Sequence, residues 1–249
     1  MSAIQINGVT KSYGQKLALN SVTLVFPPKR TTAIIGPSGG GKSTVLQLIN
    51  GLVRPDSGVV HVYGEPIDYK RLPELRREIG YAVQGTGLFP HLTIERNISL
   101  LARLNGWDRD RTEKRVAELM AMVNLPVSFK NRYPYQLSGG ERQRVGLCRT
   151  MMLDPDIWLL DEAFGALDPI TRSEIHREFL KLQQEKARTI ILVTHDLREA
   201  FRLADHVVII NSGRLEQVGS REEILKNPAS PFVEEFVHLQ LEDEIKFSA

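Results

Sequence analysis

Disulfides, membrane spans and strong net charge are all missing from this sequence. Its one cysteine, Cys148, excludes an internal disulfide. The longest apolar runs, such as Ile157–Leu160 and Val207–Ile210, are far too short to cross a bilayer. The formal net charge of +2 argues against a protein held on nucleic acid by phosphate neutralisation. Because no basic and then apolar stretch opens the chain at Met1, we expect no secretory signal and a cytoplasmic location.

One glycine-rich stretch carries the clearest chemical signal. It matches the spacing G-x-x-x-x-G-K-[ST], in which backbone N–H groups cradle phosphate, a lysine adds positive charge and a hydroxyl ligates Mg²⁺. An apolar strand, Thr31–Ile35, precedes it, and a helix over Thr44–Ile49 follows, so the partly positive helix end would face the phosphates. A turn that binds nothing is the alternative. The stretch consists of Gly36, Pro37, Ser38, Gly39, Gly40, Gly41, Lys42, Ser43 and Thr44.

The patterning of the chain predicts an α/β fold. Alternating side chains in Ile4–Ile6 and Val22–Phe26 predict an antiparallel sheet near the N-terminus. Residues 85–134 have helical spacing and predict a small helical subdomain. From Pro155 onward, strands alternate with helices, which predicts a parallel sheet covered by helices. Two of these helices are predicted to begin with capping boxes, formed by Thr171 with Glu174 and by Ser220 with Glu223.

Two adjacent carboxylates follow the apolar strand that begins at Ile157. Ligands of open α/β sheets bind at the carboxyl ends of strands, where Asp161 and Glu162 stand. Since neighbouring residues on a strand point opposite ways, we expect different roles. Asp161 would complete the Mg²⁺ site beside Ser43, and Glu162 would polarise a water molecule aimed at the terminal phosphate. An acidic loop without function is the alternative.

The stretch Leu137–Arg144 admits two interpretations that are compatible. Ser138 and Glu141 have the spacing of a capping box and would simply begin a helix. The same helix start, with Gly139 and Gly140, would expose N–H groups as a second anion site. Two phosphate sites for one triphosphate suggest two copies of the chain arranged head to tail.

These motifs together resemble the ATP-binding subunit of an ABC transporter. In that family Gly36–Thr44 corresponds to Walker A, Gln84 to the Q-loop, Leu137–Glu141 to the signature, Leu159–Glu162 to Walker B with the catalytic glutamate, Ala166–Asp168 to the D-loop and His195 to the switch histidine. The resemblance implies a P-loop NTPase core with a mostly parallel sheet, an N-terminal antiparallel β subdomain and an inserted α-helical subdomain. It also implies one domain of 249 residues in four parts. These are the β subdomain with the P-loop core (1–84), the helical subdomain with the signature helix (85–154), the remainder of the core (155–239) and a C-terminal tail (240–249).

The resemblance also implies roles for single residues. Tyr13 would stack on adenine, Gln84 would touch Mg²⁺ and sense the membrane partner, and His195 would contact the γ-phosphate. Lys42, Mg²⁺, His195 and the signature amides of Ser138–Gly140 would offset charge on the transferring phosphoryl group. Glu141 completes that signature, and Ser43, Gln84 and Asp161 form the expected Mg²⁺ set.

The partners implied by the resemblance are a second copy of the chain, transmembrane permease subunits and, indirectly, an extracytoplasmic solute-binding protein. Nucleic acid is not among them, and the chain would sit peripherally on the inner face of the membrane. The finer likeness is to importers of betaine, choline and related quaternary amines, carried by Gly87–Thr93, Arg132–Pro134 and Phe164–Arg172. Because the chain ends at Ala249, we do not expect the extra regulatory domain of some osmoprotectant importers.

Departures from the family and rival functions remain open at this point. Ala163, Tyr135-Gln136 and Cys148 replace the more usual proline, His-Glu and alanine, and none removes a catalytic group. The alternatives are a soluble ABC-type ATPase acting on nucleic acid or ribosomes, a regulatory module that does not hydrolyse ATP, and an importer of another solute such as an amino acid. Glu162 and His195 argue against the second.

Overall fold

The computed structural model describes residues 3–242, with side chains described for 3–241. The strands are β1 (Ile4–Tyr13), β2 (Lys16–Phe26), β3 (Thr31–Ile35), β4 (Ser57–Val62), β5 (Glu65–Pro66), β6 (Ile79–Ala82), β7 (Ile157–Asp161), β8 (Thr189–Val193), β9 (His206–Asn211) and β10 (Arg214–Gly219). The helices are α1 (Lys42–Ile49), α2 (Leu72–Arg77), α3 (Ile94–Leu104), α4 (Arg109–Met122), α5 (Gly139–Met151), α6 (Pro169–Glu185), α7 (Leu197–Leu203), α8 (Arg221–Lys226) and α9 (Pro231–Glu242).

These elements fall into two compact units. Unit 1 comprises Met1–Leu72 with Arg188–Ala249, and unit 2 comprises Pro73–Ala187. Unit 1 contains an antiparallel sheet in the order β2-β1-β4-β5, with Ile4 opposite Phe26 on β2 and opposite Val62 on β4. It also contains the strand order β10-β9-β3-β8, in which β3 runs parallel to β8 and β9 and only β10 is antiparallel.

Two parallel strands of unit 1, β3 and β8, are buried along their whole length. All five residues of β3 and of β8 are buried, which is typical of strands covered on both faces. On one face Ala33, Ile35 and Ile209 pack with Leu197 of α7 and Val233 of α9. The carboxyl ends of β3 and β8 lie side by side, because Ile34 pairs with Val193.

Unit 2 combines two parallel strands with long helices. Strand β6 pairs with β7, from Ile79 opposite Ile157 to Ala82 opposite Leu160. The helical spacing predicted within residues 85–134 is confirmed in α4, where Val116, Leu119 and Met120 are buried. This helix packs next to α5, where the thiol of Cys148 lies 3.4 Å from the carbonyl oxygen of Leu119.

One predicted helix start is wrong and two are confirmed. Helix α6 begins at Pro169, and its cap is Asp168, whose Oδ1 accepts a hydrogen bond from the Thr171 N–H at 3.0 Å. Thr171 therefore lies inside the first turn rather than forming a box with Glu174, because the proline that follows Asp168 has a φ suited to the first helical position. The capping boxes at Ser138 with Glu141 and at Ser220 with Glu223 are both present.

Other differences are small elements without a strong pattern. The sequence indicated neither helix α2 nor strands β5 and β10, because all three are short and partly exposed. In contrast, β3 matches its predicted bounds residue for residue. Across the part of the chain that the structure describes, no helix has the length and apolar character needed to cross a membrane.

Candidate functional site: a phosphate loop and a carboxylate loop

The glycine-rich loop of unit 1 leads from the end of β3 into α1. Pro37, Ser38 and Gly39 are exposed at its crest, whereas Gly36 and Lys42 are buried at its base. The Lys42 ammonium donates to the carbonyl oxygens of Gly36 at 2.8 Å and of Pro37 at 2.9 Å. The loop therefore curls around the ammonium group and holds it at the N-terminus of α1, where the helix dipole also favours an anion.

Two glycines in the loop are required by their surroundings. A Cβ on Gly36, whose φ is 144°, would collide with the carbonyl oxygen of Ile210. A Cβ on Gly41, whose φ is 103°, would collide with the carbonyl oxygen of Ala18. The loop is thus a close-fitting backbone cradle of the kind that binds phosphate, and its residues fit a nucleotide triphosphate group.

Two further side chains of unit 1 contact either α1 or the loop. Tyr13 stands at the end of β1, is 45% exposed, and donates its hydroxyl to Gln47 Oε1 of α1 at 3.2 Å. Its ring is therefore held beside α1 with much of its surface open to a stacking partner. The Lys16 ammonium lies next to Gly39, 3.1 Å from the place where a Cβ on that glycine would be.

His195 lies at the same strand edge as the loop. It lies two residues beyond the end of β8 and is exposed. The N–H of the preceding Thr194 donates to the Ile34 carbonyl oxygen at 3.2 Å, which ties the end of β8 to the end of β3. Asp196 then caps α7 through its Oδ1, which accepts from the Arg198 N–H at 2.8 Å and the Glu199 N–H at 3.2 Å.

The two carboxylates of unit 2 lie in different environments. Asp161 is the last residue of β7 and is 4% exposed. Burial raises the pKa of the neighbouring Tyr81, and the negative charge of Asp161 raises it further. Glu162 is half-buried and outside the strand, with a φ of 50°. The expectation that both residues stand on one strand is wrong, because the backbone turns into the left-handed region at Glu162; it is this turn that redirects its carboxylate.

Glu162 contacts another predicted site residue. Gln84 follows β6, and its Nε2 donates to Glu162 Oε2 at 3.0 Å. Strands β6 and β7 are parallel neighbours, so their carboxyl ends meet and bring the two side chains together. Within unit 2 the structure therefore unites the predicted Q-loop glutamine with the predicted base.

The start of α5 has the capping-box geometry that the sequence predicts. Ser138 Oγ accepts from the Glu141 N–H at 3.2 Å, and Glu141 Oε2 accepts from the Ser138 N–H at 2.7 Å. This contact and the positive charge of Arg144 and Arg132 keep the pKa of Glu141 below its usual range. Gly139 and Gly140 occupy the first two helical positions, whose N–H groups have no partner within a helix.

Sequence reasoning missed one side chain that joins these two parts of unit 2. Gln143 of α5 donates from Nε2 to the Glu162 carbonyl oxygen at 2.7 Å and accepts at Oε1 from the Ala166 N–H at 2.8 Å. The residue stands in the stretch Leu137–Arg144, but nothing in that pattern distinguishes it from its polar neighbours. Lys16, the first residue of β2, was also missed, since a lone lysine at a strand end is usually only solvated.

Comparison with known protein families decides what this constellation belongs to. The sequence pattern described as "ABC transporter" matches residues 19–165, which is more than half of the chain. This chain belongs to the ABC transporter family. The resemblance inferred from the motifs is thereby confirmed, and so is the P-loop NTPase fold.

Among relatives of this ABC transporter family member, "Glycine betaine/carnitine/choline transport ATP-binding protein OpuCA" of Bacillus subtilis is 46% identical over 94% of the chain. The chain spans 62% of the length of that relative. "Glycine betaine uptake system ATP-binding protein YehX" of Escherichia coli is 44% identical over 94% of the chain, and the chain spans 76% of it.

A solved structure supports the same assignment. It is the dimeric structure of the ATP-binding cassette MJ0796 in a post-hydrolysis state, bound to ADP and Pi. It matches 87% of this chain and 98% of its own length, with 32% identity and a TM-score of 0.83.

The residues predicted to bind Mg²⁺ include groups other than carboxylates. Among the described residues, no group of three or more His, Cys, Asp or Glu side chains could hold a metal ion. The expected set of the Ser43 hydroxyl, the Gln84 amide and the Asp161 carboxylate offers oxygen ligands. Oxygen ligands of this kind suit Mg²⁺, which is usually bound by few protein groups together with nucleotide phosphates.

Proposed function

We propose that this chain is the ATP-binding and ATP-hydrolysing subunit of an ABC import complex for a quaternary amine. The observation that carries the proposal is the loop from Gly36 to Thr44, in which backbone curls around the buried Lys42 ammonium at a helix N-terminus. Membership of the ABC transporter family and the names of OpuCA and YehX support the transport role.

In this proposal the phosphate loop binds the triphosphate. Lys42 would offset the charge that develops on the transferring phosphoryl group, and the carbonyl oxygens of Gly36 and Pro37 hold its ammonium group at the base of the loop. Tyr13 stacks on adenine, and His195 contacts the terminal phosphate. Ser43, Gln84 and Asp161 would hold Mg²⁺, which supplies further positive charge at the phosphates when bound.

Glu162 is assigned the role of general base. Its carboxylate would accept the proton of the attacking water, and the Gln84 amide at 3.0 Å would orient it. The tip of α5, comprising Ser138, Gly139, Gly140 and Glu141, would bind the triphosphate held by a second copy. The dimeric state of the MJ0796 cassette supports this arrangement.

The first test measures phosphate release by the purified full chain and by Glu162→Gln. We expect turnover to fall by about 10²-fold or more, as for loss of a general base, while the dissociation constant for ATP stays within about twofold. Glu185→Gln is the matched control, because it removes one carboxylate at the exposed end of α6. Equal turnover in wild type and Glu162→Gln would remove Glu162 from its assigned role.

The solute and the membrane partners need a cellular test. Cells of the organism that encodes this chain would carry either the wild-type chain or Glu162→Gln, and uptake of radiolabelled glycine betaine, choline and a neutral amino acid would be compared. We expect uptake of a quaternary amine to depend on Glu162, and co-purification of a multi-span membrane protein with the chain. Loss of amino-acid uptake alone would replace the proposed solute class.

A further inference from the structure

The side chain of Gln143 uses both ends of its amide on one loop. This loop, residues 162–168, connects β7 to α6 and begins with Glu162. Gln143 Nε2 donates to the Glu162 carbonyl oxygen at 2.7 Å, and Gln143 Oε1 accepts from the Ala166 N–H at 2.8 Å. A single residue of α5 therefore holds both the start and the middle of the 162–168 loop.

The tip of α5 itself packs against the same loop. A Cβ on Gly140 would lie 3.1 Å from the Ala166 carbonyl oxygen and 3.5 Å from Leu167 Cδ2. The distance of 3.1 Å is tighter than most Cβ contacts, so the tip lies directly against the loop. Movement of the tip must therefore move the loop, or break the two hydrogen bonds of Gln143.

The backbone at Glu162 needs to be held from outside. Its φ of 50° lies in a region that residues other than glycine rarely occupy. The contact from Gln143 falls on the carbonyl group of this same residue, and the contact from Gln84 falls on its carboxylate. Both bonds fix the direction in which the Glu162 carboxylate points.

We propose that Gln143 is a positioning residue that couples the two nucleotide sites of a head-to-tail dimer. This inference rests on the proposed function. The tip of α5 binds the triphosphate of the second copy, and the Glu162 of the same chain acts on its own triphosphate. Gln143 transmits the position of the docked tip to the Glu162 backbone, so that the base is aligned when the opposite site is filled.

A second side chain also contacts the 162–168 loop. Arg172 of α6 donates from Nη2 to the Leu167 carbonyl oxygen at 2.8 Å and to the Gly165 carbonyl oxygen at 3.3 Å. Arg172 contacts the loop from α6 and not from α5. Arg172→Lys is therefore the matched control, since it weakens the loop without cutting its link to the tip.

The test compares Gln143→Met, Gln143→Glu and Arg172→Lys in the full chain. Methionine keeps the length of the side chain and removes both hydrogen bonds. Glutamate keeps an acceptor for the Ala166 N–H and loses the donor to the Glu162 carbonyl oxygen. The measurements are kcat, the Hill coefficient for ATP, the dissociation constant for ATP, and the thermal midpoint.

We expect kcat to fall about tenfold in both Gln143 variants, because both lose the hydrogen bond to the Glu162 carbonyl oxygen that aligns the reacting groups. The Hill coefficient falls toward one, the dissociation constant for ATP stays within about twofold, and the thermal midpoint drops no further than in Arg172→Lys. In the Glu162→Gln background, Gln143→Met causes no further loss of the residual rate, because residues that act as a unit are not additive.

Three results would overturn the inference. They are a wild-type kcat and Hill coefficient in Gln143→Met, a full kcat in Gln143→Glu, or an additive loss on top of Glu162→Gln. The proposed function is tested separately. If Glu162→Gln turns over ATP as fast as the wild type, Glu162 is not the general base. If Glu162→Gln is slow and Gln143→Met is not, only the positioning role is wrong.

Discussion

At the scale of single residues, backbone crowding decides where glycine is required. Gly36 and Gly41 each face a carbonyl oxygen from a distant part of unit 1, contributed by Ile210 and Ala18 respectively. Gly64, in the turn between β4 and β5, also has a positive φ but has no atom within 4 Å of a Cβ position. Glycine is therefore required by close packing at Gly36 and Gly41 and by the turn geometry at Gly64.

Gly36→Ala should abolish nucleotide binding and lower the free energy of unfolding by about 3 kcal/mol or more, because the Ile210 backbone cannot yield without moving β9. Gly64→Ala is the control and should cost only about 1–2 kcal/mol, the penalty for a left-handed residue. Urea unfolding and titration with a fluorescent ATP analogue measure the two effects. Similar losses in both variants would show that crowding at Gly36 does not matter.

Cys148 should not react with thiol reagents while the chain is folded. Burial inside α5 raises the pKa of its thiol, and the thiolate is the reactive form. Titration with a disulfide reagent at about pH 8, near the pKa of a free cysteine, should detect the thiol only after urea is added. Fast reaction in the absence of urea would contradict the buried position.

At the scale of elements, side-chain caps determine where helices begin. Asp168 starts α6 because proline follows it, although Thr171 and Glu174 have the spacing of a capping box. Pattern alone could not separate these choices, since several polar residues precede the helix. Where one box had no competitor, at Ser220 with Glu223, the sequence-based prediction was confirmed.

The capping boxes should make stability depend on pH in the acid range. Hydrogen bonds from the Ser138 and Ser220 N–H groups lower the pKa of Glu141 and Glu223 in the folded chain. A lowered folded pKa means that the contribution is complete above the unfolded value of about 4.3 and is lost as pH falls through the folded value.

Urea midpoints of the wild type, Glu141→Gln and Glu223→Gln, measured from about pH 6 to about pH 3, test this dependence. Glutamine keeps an oxygen acceptor for the serine N–H but does not titrate in this range. We expect the wild type to be more stable than each variant at the higher pH, with a difference that shrinks on acidification. A difference that stays constant across the range would exclude these carboxylates as its source.

At the scale of the whole molecule, the proposed function predicts that MgATP joins two copies of the chain. Glu162→Gln should form a dimer with MgATP, measured by sedimentation, and should remain monomeric with MgADP. The variant is needed because slow hydrolysis lets the ATP-bound form accumulate.

Gly139→Asp in the Glu162→Gln background tests which surface the dimer uses. Gly139 is exposed in the first turn of α5, and a Cβ there meets nothing within 4 Å. A carboxylate at this helix start suits the dipole, so the fold should keep its thermal midpoint, but the negative charge would repel phosphate. We expect no ATP-dependent dimer, whereas Gly139→Ala should retain it. Equal dimerisation of both variants would show that the α5 tip does not meet the nucleotide.

Much of the fold and most of the candidate residues were predictable because they belong to short, contiguous patterns. Strands β3 and β8 each end in a continuous apolar run, and the buried apolar residues of α4 repeat at helical spacing. The contact between Gln84 and Glu162 could be expected only in part, because both residues follow buried strands that pair with each other. The short elements α2, β5 and β10 lack such patterns and could not be predicted.

The amino-acid sequence by itself determined the phosphate-loop motif, the family and the longer strands and helices, because each depends on residues close together along the chain. Tertiary structure alone decided the left-handed turn at Glu162, the two hydrogen bonds of Gln143 and the crowding at Gly36. The physical reason is distance along the chain: these features depend on atoms from segments that only folding brings into contact, and no local pattern records them.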